Sequence, residues 1–220
     1  MGIDEDCDLG SALFLIGPGK DLVEMDAAES SSVEILTESL KRAASVLEAQ
    51  RVPYLLGGGL GCWARGGPPS SNDIDLMIER VEAERALEAL AGAGMRTEKP
   101  PEQWLYKAWD GEILIDLIFE PAGLRVTAEV LERGEELSVA GMCVRVMALE
   151  DILITKLLAL DEHSADYRNL LQIARALREQ VDWPSLRERT SSSPFAHAFF
   201  TLADGLRITS PLGVADEPPR

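Results

Sequence analysis

The run Asp73-Ile74-Asp75-Leu76-Met77-Ile78 alternates two carboxylates with apolar residues, and an extended strand alone puts Ile74, Leu76 and Ile78 on one side and both acids on the other. Upstream, Tyr54-Leu55-Leu56 has the length and composition of a short buried strand and runs straight into Gly57, Gly58 and Gly59. A tight turn is expected at those glycines, followed by a short helix and the loop Gly66-Gly67-Pro68-Pro69. The segment therefore reads strand, glycine turn, helix, loop and acidic strand, and any fold proposed for the chain has to accommodate that order.

The rest of the pattern supplies partners for those strands. Ser31 with Glu34 has capping-box spacing, and Ile35, Leu36, Leu40, Ala43, Ala44 and Leu47 follow at helical intervals. Glu82 to Leu90 reads as a helix ended by Gly92 and Gly94. Trp104 to Trp109 and Glu112 to Phe119 read as a hairpin turning through Asp110-Gly111, and Glu136 to Val146, with Gly141 inside, as a second hairpin. From Leu149 the period becomes helical, in Ile152, Leu153, Lys156, Leu157 and Leu160 and again in Leu170, Leu171, Ile173, Ala174 and Leu177. Asp182 precedes a further helix at Trp183-Pro184, and Phe195 to Leu206 reads as a last one. The expected class is α+β, a small mixed sheet flanked by helices and followed by a mainly helical C-terminal part. The expected division is an acidic segment 1–29, a catalytic domain 30–147, a helical region 148–209 and a flexible tail 210–220.

With 21 basic against 38 acidic residues, the formal charge of -17 repels phosphate backbones, so extended nucleic-acid binding is not expected. Gly17-Pro18-Gly19-Lys20 lacks the spacing and the following Ser or Thr of a phosphate-binding loop. The apolar run Ala12 to Ile16 is too short for a membrane span and follows acids rather than bases, so neither signal peptide nor anchor is expected. Cys7, Cys62 and Cys143 form no zinc motif and no disulfide framework, which fits a cytoplasmic protein.

Asp73 and Asp75 project from the same strand face, and two adjacent carboxylates repel unless something positive sits between them. A divalent cation removes that repulsion, and Mg²⁺ favours such hard oxygen ligands. Asp116, within Ile113 to Phe119, offers a third carboxylate from a strand able to lie alongside. Such a set suits phosphoryl or nucleotidyl transfer, in which metals shield phosphate charge and activate a hydroxyl. Glycines at 57–59 let backbone N–H groups approach a triphosphate, and Ser70 and Ser71 add hydroxyls near Asp73. His163 and His197 are isolated and are expected to be surface or structural residues. Cys62 is expected to be a small buried residue, and Trp104 or Trp109 is a candidate lining for a base pocket.

This ordered set resembles the nucleotidyltransferase superfamily related to DNA polymerase β, in particular the small bacterial members typified by AbiEii toxins and antibiotic nucleotidyltransferases. The resemblance covers residues 54 to 120 by motif and extends more loosely to about 175. The paired glycines match Gly58 and Gly59, the metal pair matches Asp73 and Asp75, and the third acid, often the base for the acceptor hydroxyl, matches Asp116. Leu149 through Leu157 looks like the helix after the catalytic sheet, whose lysine, here Lys156, reaches the nucleotide phosphates. The sequence departs from its relatives at Asn169, where Asp166-Tyr167-Arg168-Asn169 replaces an Asp-x-x-Asp motif, and at Pro69, where an arginine is common.

The resemblance implies an enzyme that transfers a nucleoside monophosphate from an NTP to a hydroxyl acceptor with two Mg²⁺ ions and releases pyrophosphate. In that scheme Asp73 bridges the metals, Asp75 completes one, and Asp116 holds the other and helps deprotonate the acceptor. Gly58, Gly59, Ser71 and Lys156 hold the triphosphate. The acceptor stays open among a small molecule such as an antibiotic, an RNA end and a protein side chain. Two alternatives share the fold, a toxin–antitoxin toxin acting on RNA or protein and a catalytically silent binding module. An antitoxin or a homodimer is the partner implied, with no membrane.

Overall fold

The computed structural model describes residues 27–70 and 73–209, with side chains from Val33 onward. Ser71, the segment before Ala27 and the tail from Ser210 lie outside the described residues. Helix α1 (Ala27–Ala49) begins ahead of the expected cap at Ser31, since Ala27, Ala28 and Glu29 are themselves good helix formers. Its buried stripe is Leu36, Leu40, Ala43, Ala44 and Leu47, whereas Ile35, expected in that stripe, stands 55% exposed.

Strand β1 (Leu55–Leu56) leads through Gly57 into helix α2 (Gly58–Trp63), and strand β2 (Asp73–Met77) follows the proline-containing loop. Helix α3 (Ala83–Gly92) leads to β3 (Arg96–Glu98), β4 (Leu105–Asp110) and β5 (Ile113–Ile118). Helix α4 (Ala128–Glu132) precedes the hairpin β6 (Glu135–Val139) and β7 (Met142–Val146). The C-terminal part is helical: α5 (Leu149–Leu158), α6 (Tyr167–Leu177), α7 (Trp183–Arg189) and α8 (Pro194–Gly205). The seven strands among the described residues form one sheet in the order β3-β4-β5-β2-β1-β7-β6. The pairs β2–β5 and β1–β7 are parallel and the others antiparallel, so the α+β expectation holds.

Turn chemistry sets the register of both hairpins. In β6–β7, Ala140 and Gly141 both have positive φ, as a type I′ turn requires. In β4–β5, Asp110 pairs with Ile113, so the turn residues are Gly111 and Glu112, one position beyond the expected Asp110-Gly111. Only Gly111 of the two has positive φ, at 60°, the pattern of a type II′ turn with glycine first. Strand β3 was not expected. It lies at the sheet edge, and its burial pattern of exposed, intermediate and exposed leaves no apolar alternation to read.

Two apolar cores cover the two faces of the sheet. Helices α1 and α3 pack on the face that carries Leu56, Ile74, Leu76, Ile115 and Leu117. The C-terminal helices pack on the face that carries Leu55, Met77, Leu105 and Ile118. Asp182 caps α7 as expected, accepting from the Ser185 N–H at 3.1 Å, and Asp166, read from sequence as part of an acidic motif, caps α6 by accepting from the Arg168 N–H at 2.9 Å. A buried ion cluster joins α4, α5 and α7. Asp151 in α5, 1% exposed, accepts from Arg133 at 2.7 and 3.1 Å and from Arg189 at 2.6 Å. Among the described residues no helix is long and apolar enough to cross a membrane.

Candidate active site

On the face that the C-terminal helices cover, side chains line up in rows across the strands, because paired residues point the same way. One row is Leu105, Ile118, Met77 and Leu55, all 7% exposed or less. The adjacent row, two residues along each strand, is Lys107, Asp116 and Asp75. Beyond it come Trp109, Leu114 and Asp73, all of intermediate exposure. The three acids thus stand where the apolar cover of this face ends, Asp73 and Asp75 half-buried and Asp116 buried. One carboxylate oxygen from each of Asp73, Asp75 and Asp116 lies within 4.8 Å of the others.

The glycine turn is built against this cluster. Gly57 donates its N–H to the Asp75 carbonyl at 2.8 Å, which ties the turn to β2. Gly58 opens α2 with φ of 56°, and a Cβ there would collide with the Asp75 carboxylate. A Cβ on Gly59 would collide with Ser70. Both glycines are therefore required by close approach, at Gly58 to the acid and at Gly59 to the Ser70 hydroxymethyl group. Ser70, one of the two serines expected near Asp73, lies beside the turn. Ser71, expected to serve the same role, lies outside the described residues.

The electrostatics follow from packing carboxylates together. Burial first, and then repulsion from Asp73, push the Asp75 carboxyl up to about 7, partly offset by the positive charge of Lys156. Burial also raises the Asp116 carboxyl, while a hydrogen bond and ion pair with Lys107 pull it back. Lys107 donates its ammonium to Asp116 Oδ1 at 3.1 Å from the directly opposite position on β4. The expectation from sequence overlooked Lys107. Lys156, on α5, is near enough for its charge to act on both Asp75 and Cys62.

Other expected positions resolve differently. Cys62 is a buried free thiol whose pKa rises to about 11 through desolvation, so it stays protonated and is no nucleophile. Arg65, four residues before Pro69 in sequence, donates to Glu135 at 3.1 Å and to the Met147 carbonyl at 2.9 Å. Asp166 serves as the α6 cap, and both histidines are exposed. Arg96 lies 3.5 Å over the Trp109 ring, while Trp104 is 42% exposed. An open groove of about 900 Å³ runs along α1, lined by Glu34, Ile35, Glu38, Arg42 and Asp110, and none of the three acids borders it.

Comparison with known proteins bears on the fold and the family. The structure of ANT(2'')-Ia in complex with adenylyl-2''-tobramycin is 18% identical, with a TM-score of 0.54 over 78% of this chain and 98% of that one. A solution structure of ANT(2'')-Ia gives the same identity and score over 81% and 96% of the two chains. Lincomycin-bound LnuA, a lincosamide antibiotic adenylyltransferase, is 15% identical with a TM-score of 0.46 over 62% and 92%. No curated protein sequence matches the chain. At such identities the likeness to ANT(2'')-Ia is one of fold. Residues 24–204 match the model of a family described as "Uncharacterised nucleotidyltransferase". With most of its length matched and its sheet folded as in ANT(2'')-Ia, the chain belongs to this nucleotidyltransferase family and is an enzyme of that class.

Proposed function

We propose that this enzyme transfers a nucleoside monophosphate from an NTP to a hydroxyl of a small-molecule acceptor and releases pyrophosphate. The observation that carries this is the convergence of Asp73, Asp75 and Asp116 within 4.8 Å beside the glycine turn. The donor set fits hard divalent cations: three carboxylates offer only oxygen, and Asp75 resists ionisation unless positive charge is brought to it. Asp73, Asp75 and Asp116 would together hold two Mg²⁺ ions. Bound there, the ions would shield the triphosphate and make the acceptor hydroxyl more acidic.

The chain's own groups do the rest. Asp116 takes the proton of the acceptor hydroxyl as its oxygen bonds to the α-phosphorus, and the bond from that phosphorus to the pyrophosphate oxygen breaks. Gly58 and Gly59 admit the phosphates close to the backbone, with the Ser70 hydroxyl beside Gly59. Lys156 neutralises part of the phosphate charge. A small acceptor is supported by the adenylylated antibiotic in the ANT(2'')-Ia structure and by the charge of -17, which disfavours a polyphosphate chain. Residues 30–147 would form the catalytic domain and 148–209 its helical companion, which shares the second core with the sheet.

Calorimetry tests the site first. NTP binding should require Mg²⁺ and should be lost in Asp73→Asn and Asp75→Asn. Metal-independent binding that survives both substitutions would remove the basis for the proposal.

A further inference from the structure

The position of Lys107 adds something that the catalytic scheme does not use. Its ammonium is not an accidental surface partner of Asp116. The two residues are register partners across β4 and β5, in the same row as Asp75, and the exposures of their side chains are 27% and 11%. A type II′ turn fixes that register, so the lysine cannot slide away along the strand. Its charge also acts on Asp75. Two cations are therefore offered to three carboxylates from within the protein, Lys156 acting on Asp75 and Lys107 engaging Asp116.

Resting on the proposed metal site, we infer that Lys107 controls cation occupancy: in the nucleotide-free protein it claims Asp116, so the cluster takes one divalent ion, on Asp73 and Asp75. A second ion needs the Asp116 carboxylate that the ammonium already engages through Oδ1, and it would arrive against a fixed like charge at short range. Phosphates brought by a bound NTP give the ammonium another anion to face, and Asp116 then becomes available. The second ion thus follows the nucleotide. This order keeps Asp116 paired and the site closed to full metal loading until there is a substrate to act on. Lys107 acts here as a positioning residue, through Asp116, and not as a catalytic one.

Counting bound Mn²⁺ by electron paramagnetic resonance on the full chain, without nucleotide, tests the inference. Wild type is expected to hold one ion per chain. Lys107→Met should hold two, with the affinity for the second raised about tenfold or more. Lys107→Arg, which keeps the charge, should return to one. Adding a non-hydrolysable ATP analogue to wild type should bring in the second ion. Lys107→Gln provides the same neutral side chain with polar character, should Lys107→Met fold poorly. Two equivalent ions in nucleotide-free wild type, or an unchanged count in the neutral variants, would overturn the inference while leaving the metal site standing. Absence of Mn²⁺ binding, or binding indifferent to Asp73→Asn, would overturn both the inference and the metal site.

Discussion

Two neighbouring rows on the same sheet face make opposite use of the same backbone. Leu105, Ile118, Met77 and Leu55 are sealed under the C-terminal helices and contribute burial, whereas Lys107, Asp116 and Asp75, one row along, put charge at the rim of the same core. The apolar row gains from exclusion of water. The charged row loses hydration and is tolerable only because lysines face the acids from β4 and α5. A site of this kind is stabilised by its neighbours rather than by itself, so stability and activity should separate cleanly between the rows.

The largest effect should come from the charged row. Asp116→Asn is expected to lower kcat on the order of a hundred- to ten-thousand-fold, the usual worth of a positioned base, with thermal stability kept. Comparable kcat in the variant would show that the acceptor proton leaves by another route. Ile118→Ala, in the apolar row, should instead cost about 2–5 kcal/mol in denaturant unfolding while the folded fraction keeps Mg²⁺-dependent NTP binding. If that variant lost NTP binding at full foldedness, the two rows would not be separable.

Gly58→Ala lies between the two cases. Strain at φ of 56° costs about 1–2 kcal/mol, and the added methyl group displaces the Asp75 carboxylate, so modest destabilisation should accompany weaker Mg²⁺ affinity. Calorimetry with Mg²⁺ alone reads the second part. The gentlest probe is pH. Asp75 is held near 7 in the fold against 3.8 as its ordinary value, so its contribution to stability is full below about 3.8 and is lost as pH rises through about 7. The metal-free protein should lose at most about 1.4 kcal/mol per pH unit from this group across that window, and Asp75→Asn should flatten the slope. Mg²⁺ binding near pH 6 should release a proton, detectable as a dependence of the binding heat on the buffer's ionisation enthalpy.

Much of this arrangement was legible because it depends on local pattern. Alternation around Asp73 and Asp75 and around Asp116 placed three carboxylates on one side of two strands, and the glycines marked the turn that touches them. Helical periods after Leu149 found the cover of the second face. What escaped depended on long-range pairing. A turn through Asp110-Gly111 would set Lys107 opposite Leu114, whereas the observed turn at Gly111-Glu112 sets it opposite Asp116. One residue of turn placement moves the register by two, and with it the partner of the lysine. A charged residue inside Leu105-Tyr106-Lys107-Ala108-Trp109 was the clue that an ion partner should be sought. Arg96 to Glu98 escaped for a different cause: an edge strand with no buried alternate positions carries no periodic signal.

The Asp151 cluster bears on how the enzyme can move. Swinging the helical part away from the sheet would part Asp151, 1% exposed and on the same helix as Lys156, from Arg133 at the end of α4, although Arg189 of α7 would travel with it. Breaking such a pair costs about 3–5 kcal/mol. The lysine that faces Asp75 is thereby mounted on a clamped support, and the moving parts during turnover should be side chains and the glycine–proline loop rather than whole lobes.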